Sequence, residues 1–157
     1  MSRPASAKAT AGRRALLDVN VLIALFNPSH VHHEVAHDWF EDHRPLGWAT
    51  CPLTENGFLR ILSHPQAEVE ADRSTLFASL RTFCATGDHE FWPDTVSLLD
   101  ETLFEPSAIL SHRQLTDIYL LGLATRMGGA LATFDAGIPL KAVKGATTES
   151  LSVIAPA

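Results

Sequence analysis

Four acidic residues are candidates for catalysis or metal binding. Two of them follow short apolar runs, and the other two lie on apolar helix faces. Asp18 and Asp135 each follow a strand-like segment. Glu55 and Asp117 stand at helical spacing from apolar residues, which predicts that their side chains face the interior. Because burying an unpaired carboxylate costs on the order of several kcal/mol, each of these acids requires a partner.

A hard divalent cation is the partner that suits four carboxylates. Arg60 and Arg126 follow the helical acids at five and nine residues, not at the three or four that let helical side chains meet. Mg²⁺ and Mn²⁺ prefer oxygen ligands, and such an ion activates water and polarises phosphoryl oxygens. For any one acid alone, an edge position near solvent or a pairing with a distant arginine stays an alternative.

The elements that must position these acids follow from the alternation of short apolar runs with longer amphipathic segments. This pattern is typical of an α/β domain with a mostly parallel sheet, in which ligands bind beyond the carboxyl ends of the strands. Asp18 and Asp135 fall at such ends. The predicted strands are 15–18, 47–51, 130–133 and 150–154, and the predicted helices are 19–26, 31–42, 53–62, 73–85 and 114–127. Residues 91–98 show no clear pattern.

Length and composition limit the classes of protein that fit. The 157 residues, 46% of them hydrophobic, suggest one domain (15–157) behind a basic, flexible N-terminal tail (1–14). No apolar run reaches the roughly 18 residues of a membrane span. Cys51 and Cys84 form no CxxC pair, which favours reduced thiols in a cytoplasmic protein. The formal net charge of −6 argues against binding nucleic acid through basic residues alone, so metal ions would have to supply positive charge at the phosphate.

A rival motif lies in the second predicted helix. His33-Glu34-x-x-His37 fits the pattern of zinc peptidases, and His43 follows at the extended spacing. The extended motif requires a glycine where this chain has Phe40, and a continuous helix turns His43 away from the other two histidines. A solvated histidine flank on an amphipathic helix is therefore the favoured interpretation, and a zinc metallopeptidase is the alternative.

The segments around the four acids resemble those of PIN domains, and they occur in that family's order. They are Leu16–Leu25, Thr54–Leu62, Leu115–Leu120 and Ala132–Asp135. The resemblance, which is nearest to VapC-like toxins, implies a three-layer α/β/α fold around a mostly parallel central sheet. It also implies Mg²⁺ or Mn²⁺ held by Asp18, Glu55, Asp117 and Asp135, with polar support from Asn20 and Thr133. For Asn20 a helix-cap or turn role, and for Thr133 a simple strand-end role, stay alternatives.

The activity that this resemblance implies is metal-dependent endoribonuclease cleavage, leaving a 5′-phosphate and a 3′-hydroxyl. It also implies a cognate antitoxin protein as partner and a homodimer. Two other classes of protein are alternatives. A phosphorylated receiver domain requires a second acid beside Asp18, where this chain has Asn20. A non-catalytic PIN-like binding module would have lost some of the four acids, and all four are present.

Overall fold

A central sheet of five short parallel strands organises the computed structural model, which describes residues 12–67 and 71–155. The order across the sheet is β3-β2-β1-β4-β5, and each neighbouring pair is parallel. The strands are β1 (Ala15–Leu17), β2 (Trp48–Thr50), β3 (His89–Phe91), β4 (Ala130–Thr133) and β5 (Leu151–Val153). The first strand therefore lies at the centre, beside the fourth.

Helices cover both faces of this sheet. The described residues contain α1 (Val19–Phe26), α2 (His33–His43), α3 (Pro52–Leu62), α4 (Arg73–Cys84) and α5 (Leu115–Arg126). Helices α1 to α4 pack on one face, where Leu17 and Ala132 point, and α5 packs on the other, where Leu16 and Leu131 point. This alternation is what a strand buried on both faces requires. The predicted three-layer α/β/α fold is confirmed.

Strand β3 was missed by the sequence prediction, and α2 begins later than predicted. Glu90 and Phe91 of β3 are exposed, so this edge strand carries no buried apolar run that a sequence pattern could reveal. Helix α2 begins at His33 rather than at residue 31, and Val31 is 85% exposed instead of contributing to the core. In the described part of the chain, no helix is long and apolar enough to cross a membrane.

The inner end of the predicted basic tail contacts the sheet. Arg14, which the prediction placed in the tail, is anchored to the sheet: its Nη1 donates to the carbonyl oxygens of Asp88 (2.7 Å) and Trp48 (3.3 Å). The guanidinium lies against Gly47, where a Cβ would come within 2.6 Å of it. Residues 1–11 lie outside the described residues, so a tail of that length stays a prediction.

Candidate active site

Asp18 is held at the carboxyl end of β1 by two hydrogen bonds. It is the N-cap residue of α1, and its Oδ1 accepts a 2.7 Å bond from the backbone amide of Val19. Its Oδ2 accepts a 2.8 Å bond from the hydroxyl of Thr133, at the end of the adjacent strand β4. Only 6% of Asp18 is exposed, so this carboxylate is fixed in position by the two elements that it joins.

Thr133 links Asp18 to a second acid. Its Oγ1 accepts a 3.1 Å bond from the backbone amide of Asp135, while its own proton goes to Asp18. The Oδ1 of Asp135 accepts a 2.7 Å bond from the backbone amide of Gly137, which fixes the carboxylate in a tight turn after β4. Asp135 is exposed, so this acid forms the solvent side of the group.

Asp117 brings a third carboxylate from the first turn of α5. Burial, together with the negative charges of Asp18 and Asp135, raises its pKa to about 6. Burial likewise raises the pKa of Asp18, against the lowering effect of its hydrogen bonds with Thr133 and Val19. The three aspartates therefore share one electrostatic environment in which full ionisation is unfavourable without a cation.

Glu55 is held by β2 rather than by these aspartates. Its Oε2 accepts a 2.7 Å bond from the hydroxyl of Thr50, at the end of β2. Thr50 points toward the layer of α1 to α4, as Trp48 does, whereas Thr133 shares the α5 face with Leu131. The structure thus brings Asp18, Asp117 and Asp135 together with Thr133, and a role for Glu55 beside them stays a prediction.

Comparison with known proteins identifies the family. The PIN domain matches residues 15–144. The chain belongs to the PIN-domain family. Three similar proteins of Mycobacterium tuberculosis (strain ATCC 25618 / H37Rv) place it among the VapC-like members. Ribonuclease VapC44 is 43% identical to this chain, and the match covers 90% of this chain and 99% of the relative. Ribonuclease VapC39 is 44% identical, with 83% of this chain and 95% of the relative covered. Ribonuclease VapC38 is 46% identical, with 79% of this chain and 86% of the relative covered.

The histidines of the rival motif have structural partners in this PIN domain. The Nδ1 of His33 lies 2.7 Å from the carbonyl oxygen of Ala24, and the Nε2 of His37 lies 2.8 Å from that of Leu25. Both carbonyls belong to the last turn of α1, where a helix leaves its acceptors unsatisfied. The prediction of a merely solvated flank was therefore wrong in this detail, because the two histidines tie α2 to the end of α1.

Two further residues border the aspartates. Asn20 is exposed at the second position of α1, two residues after Asp18, so a supporting role there stays a prediction. Phe134, between Thr133 and Asp135, packs against His32 with 4.5 Å between ring centroids. Sequence reasoning gave Phe134 and His32 no role, and a 102-residue separation leaves no sequence pattern that could have paired them.

Proposed function

We propose that this PIN domain is a divalent-metal-dependent endoribonuclease that hydrolyses RNA phosphodiester bonds with Mg²⁺ or Mn²⁺, as the toxin of a toxin–antitoxin pair. The observation that supports this most is the convergence of Asp18, Asp117 and Asp135 from three elements onto one end of the sheet. The charge of Asp135 raises the pKa of Asp18, and the charges of Asp18 and Asp135 raise that of Asp117, so a bound cation would relieve this repulsion.

The donor chemistry of this site fits a hard cation. Its three acids offer only oxygen ligands, which suit Mg²⁺ and Mn²⁺ rather than softer metals. Asp18, Asp117 and Asp135 would hold the ion directly or through water, and Glu55 would be a further ligand or would orient the attacking water. A bound cation would supply Lewis acidity and neutralise charge on the phosphate.

The protein itself contributes positioning. The Thr133 hydroxyl and the Val19 amide hold both oxygens of Asp18, so this ligand needs no reorganisation when an ion arrives. Asn20 presents an exposed amide beside Asp18, and an amide can donate to a phosphate oxygen. Burial of Asp18 at the junction of β1 and α1 limits its freedom and excludes bulk water from one side of the site.

The test is an RNA-cleavage assay in EDTA, Mg²⁺, Mn²⁺ or Zn²⁺ with wild type and three variants. We expect cleavage in Mg²⁺ or Mn²⁺ only, products with 5′-phosphate and 3′-hydroxyl ends, and loss of activity in Asp18→Asn. Two control variants are expected to stay active. Asp38→Asn changes an exposed acid of α2, and Glu34→Ala changes the acid of the rival motif.

Two outcomes of this assay would overturn the proposal. Cleavage that survives Asp18→Asn would place the reaction elsewhere. A folded protein that cleaves no RNA in any metal would instead be the non-catalytic PIN-like binding module.

A protein partner and self-association complete the proposal. The resemblance to VapC-like toxins supports a cognate antitoxin that keeps the nuclease inactive, and a homodimer, and the relatives are named as ribonucleases. Light scattering of the purified chain measures its oligomeric state. Co-expression with the product of an adjacent reading frame, followed by the same cleavage assay, tests for an inhibiting antitoxin, and unchanged activity in the co-purified complex would contradict it.

A further inference from the structure

A second cluster of ligand-type side chains is formed by residues other than the three aspartates. Glu55 from the first turn of α3, Cys84 at the end of α4 and His89 at the start of β3 each offer one ligand atom, and these atoms all lie within 4.8 Å of one another. In the described ranges, 12–67 and 71–155, this is the one group of three histidine, cysteine or acidic ligand atoms with that spacing.

Thr50 connects the members of this cluster. Its hydroxyl donates to Oε2 of Glu55 (2.7 Å) and lies 2.8 Å from Nε2 of His89. The Thr50 side chain also partly offsets the burial and the Glu55 charge that raise the pKa of the Cys84 thiol. All three ligands therefore already point at one small volume, and a residue that can orient them from behind is in place.

The chain between α4 and β3 fixes the spacing of Cys84 and His89. Gly87 (φ 97°) and Asp88 (φ 63°) both adopt the left-handed conformation, which turns the chain back within five residues. The carbonyl of Asp88 accepts bonds from Arg14 (2.7 Å) and from the amide of Trp48 (2.9 Å), so this turn is anchored to the sheet.

We propose that Glu55, Cys84 and His89 form a binding site for Zn²⁺ or a similar borderline-soft divalent ion. A thiolate, an imidazole and a carboxylate are the ligands that zinc takes in proteins, whereas Mg²⁺ avoids sulfur and nitrogen. A cavity of about 320 Å³ bordered by Glu55 and Cys84 gives an ion access, and water completes the coordination.

Zinc at this site would also decide whether the Glu55 carboxylate is available to the aspartates. This consequence rests on the proposed nuclease function, since it requires Glu55 to serve cleavage. An ion that holds Glu55 beside Cys84 and His89 would keep that carboxylate from the aspartates. The chain would then carry two metal sites with opposite metal preferences. A hard cation at the aspartates would activate RNA cleavage, and zinc at the second site would inhibit it.

Cobalt is the probe for the binding site, because Co²⁺ bound by a thiolate gives a charge-transfer absorption that carboxylate sites lack. We expect this band in wild type and its loss in Cys84→Ser and His89→Gln. Competition with a chromophoric chelator should show zinc affinity at least about 100-fold weaker in both variants, since even residues that only orient ligands change affinity 10–100-fold. The matched controls are His64→Gln, Cys51→Ala and the double variant His33→Gln/His37→Gln, which should keep the band.

The outcomes separate this site from the nuclease. No cobalt band in folded wild type, or a band that persists in Cys84→Ser and His89→Gln, overturns the zinc site whatever the activity is. Zinc affinity in the chelator competition that is lost only in the His33/His37 variant assigns the metal to the rival motif. The ratio of cleavage rates without and with zinc should fall toward one in Cys84→Ser, and an unchanged ratio would mean that zinc acts at the aspartates. Absence of RNA cleavage in every metal contradicts the nuclease alone and leaves the cobalt result intact.

Discussion

At the scale of the residue, Thr133 holds Asp18 in position for the cation that we propose. Its hydroxyl donates to Asp18 and accepts from the amide of Asp135, so one side chain sets the relative positions of two acids. The hydrogen bond also favours the ionised form of Asp18, against the burial that raises its pKa. Thr133 is therefore not only a strand-end residue, because its hydroxyl positions two acids and favours the ionised form of one of them.

Thr133→Val removes this hydroxyl while keeping the shape of the side chain. We expect RNA cleavage to fall by about 10–100-fold at a limiting Mn²⁺ concentration, because Asp18 loses the donor that orients and ionises it. The measurement is the cleavage rate as a function of Mn²⁺ concentration, and Thr133→Ser is the control that should stay near wild type. Equal rates for the valine and wild-type proteins across the whole Mn²⁺ range would show that the hydroxyl has no part in the site.

At the scale of the element, α5 depends on a close approach that only glycine permits. Gly122 is buried in the middle of α5, and a Cβ at this position would overlap the ring of Phe104. Phe104 is itself 2% exposed, so its ring has little room to move. Because α5 carries Asp117 in its first turn, this packing sets where the third aspartate meets the ends of β1 and β4.

Gly122→Ala should lower the free energy of unfolding by about 1–3 kcal/mol, the usual cost of overpacking a core, although alanine is the better helix former. Urea denaturation measures this difference. In a Phe104→Leu background the same substitution should cost clearly less, because the ring that it meets is gone. Identical costs in the two backgrounds would remove Phe104 as the cause.

At the scale of the whole molecule, the three aspartates link stability to pH. The pKa of Asp117 is about 6 in the folded protein, above its ordinary value of 3.8. For an acid with a raised pKa, the folded state binds more protons than the unfolded state between these two values. Its stabilising contribution is thus complete below about pH 3.8 and is lost as the pH rises through about 6.

Asp117→Asn should therefore raise the midpoint of thermal unfolding in EDTA, by a few degrees at about pH 7.5 and by progressively less toward about pH 5. Calorimetry of wild type and variant at both pH values measures the difference between their unfolding midpoints. Contributions from groups that the two proteins share cancel in this difference. Added Mn²⁺ should reverse the order by stabilising wild type more. A difference in midpoint that is the same at both pH values would contradict the raised pKa.

The sequence predicted the aspartates better than it predicted their neighbours, for physical reasons. Asp18 and Asp135 follow apolar runs and Asp117 interrupts an apolar helix face, so their places in the hydrophobic pattern mark them. The bond between Glu55 and Thr50 depends on how α3 is rotated against the sheet, which packing across the layers decides. Likewise, His33 and His37 look like metal ligands in sequence, and only the position of α1 reveals the carbonyls that they bond.

The strand order has a consequence for synthesis of the chain. β1 lies at the centre of the sheet beside β4, and the bond between Asp18 and Thr133 spans 115 residues. A growing polypeptide exposes Asp18 early, yet it lacks Thr133 and Asp135 until β4 has left the ribosome, and such distant pairings form slowly. For a nuclease translated among the RNAs that it could cut, this topology delays assembly of the three-aspartate group until most of the chain has been made.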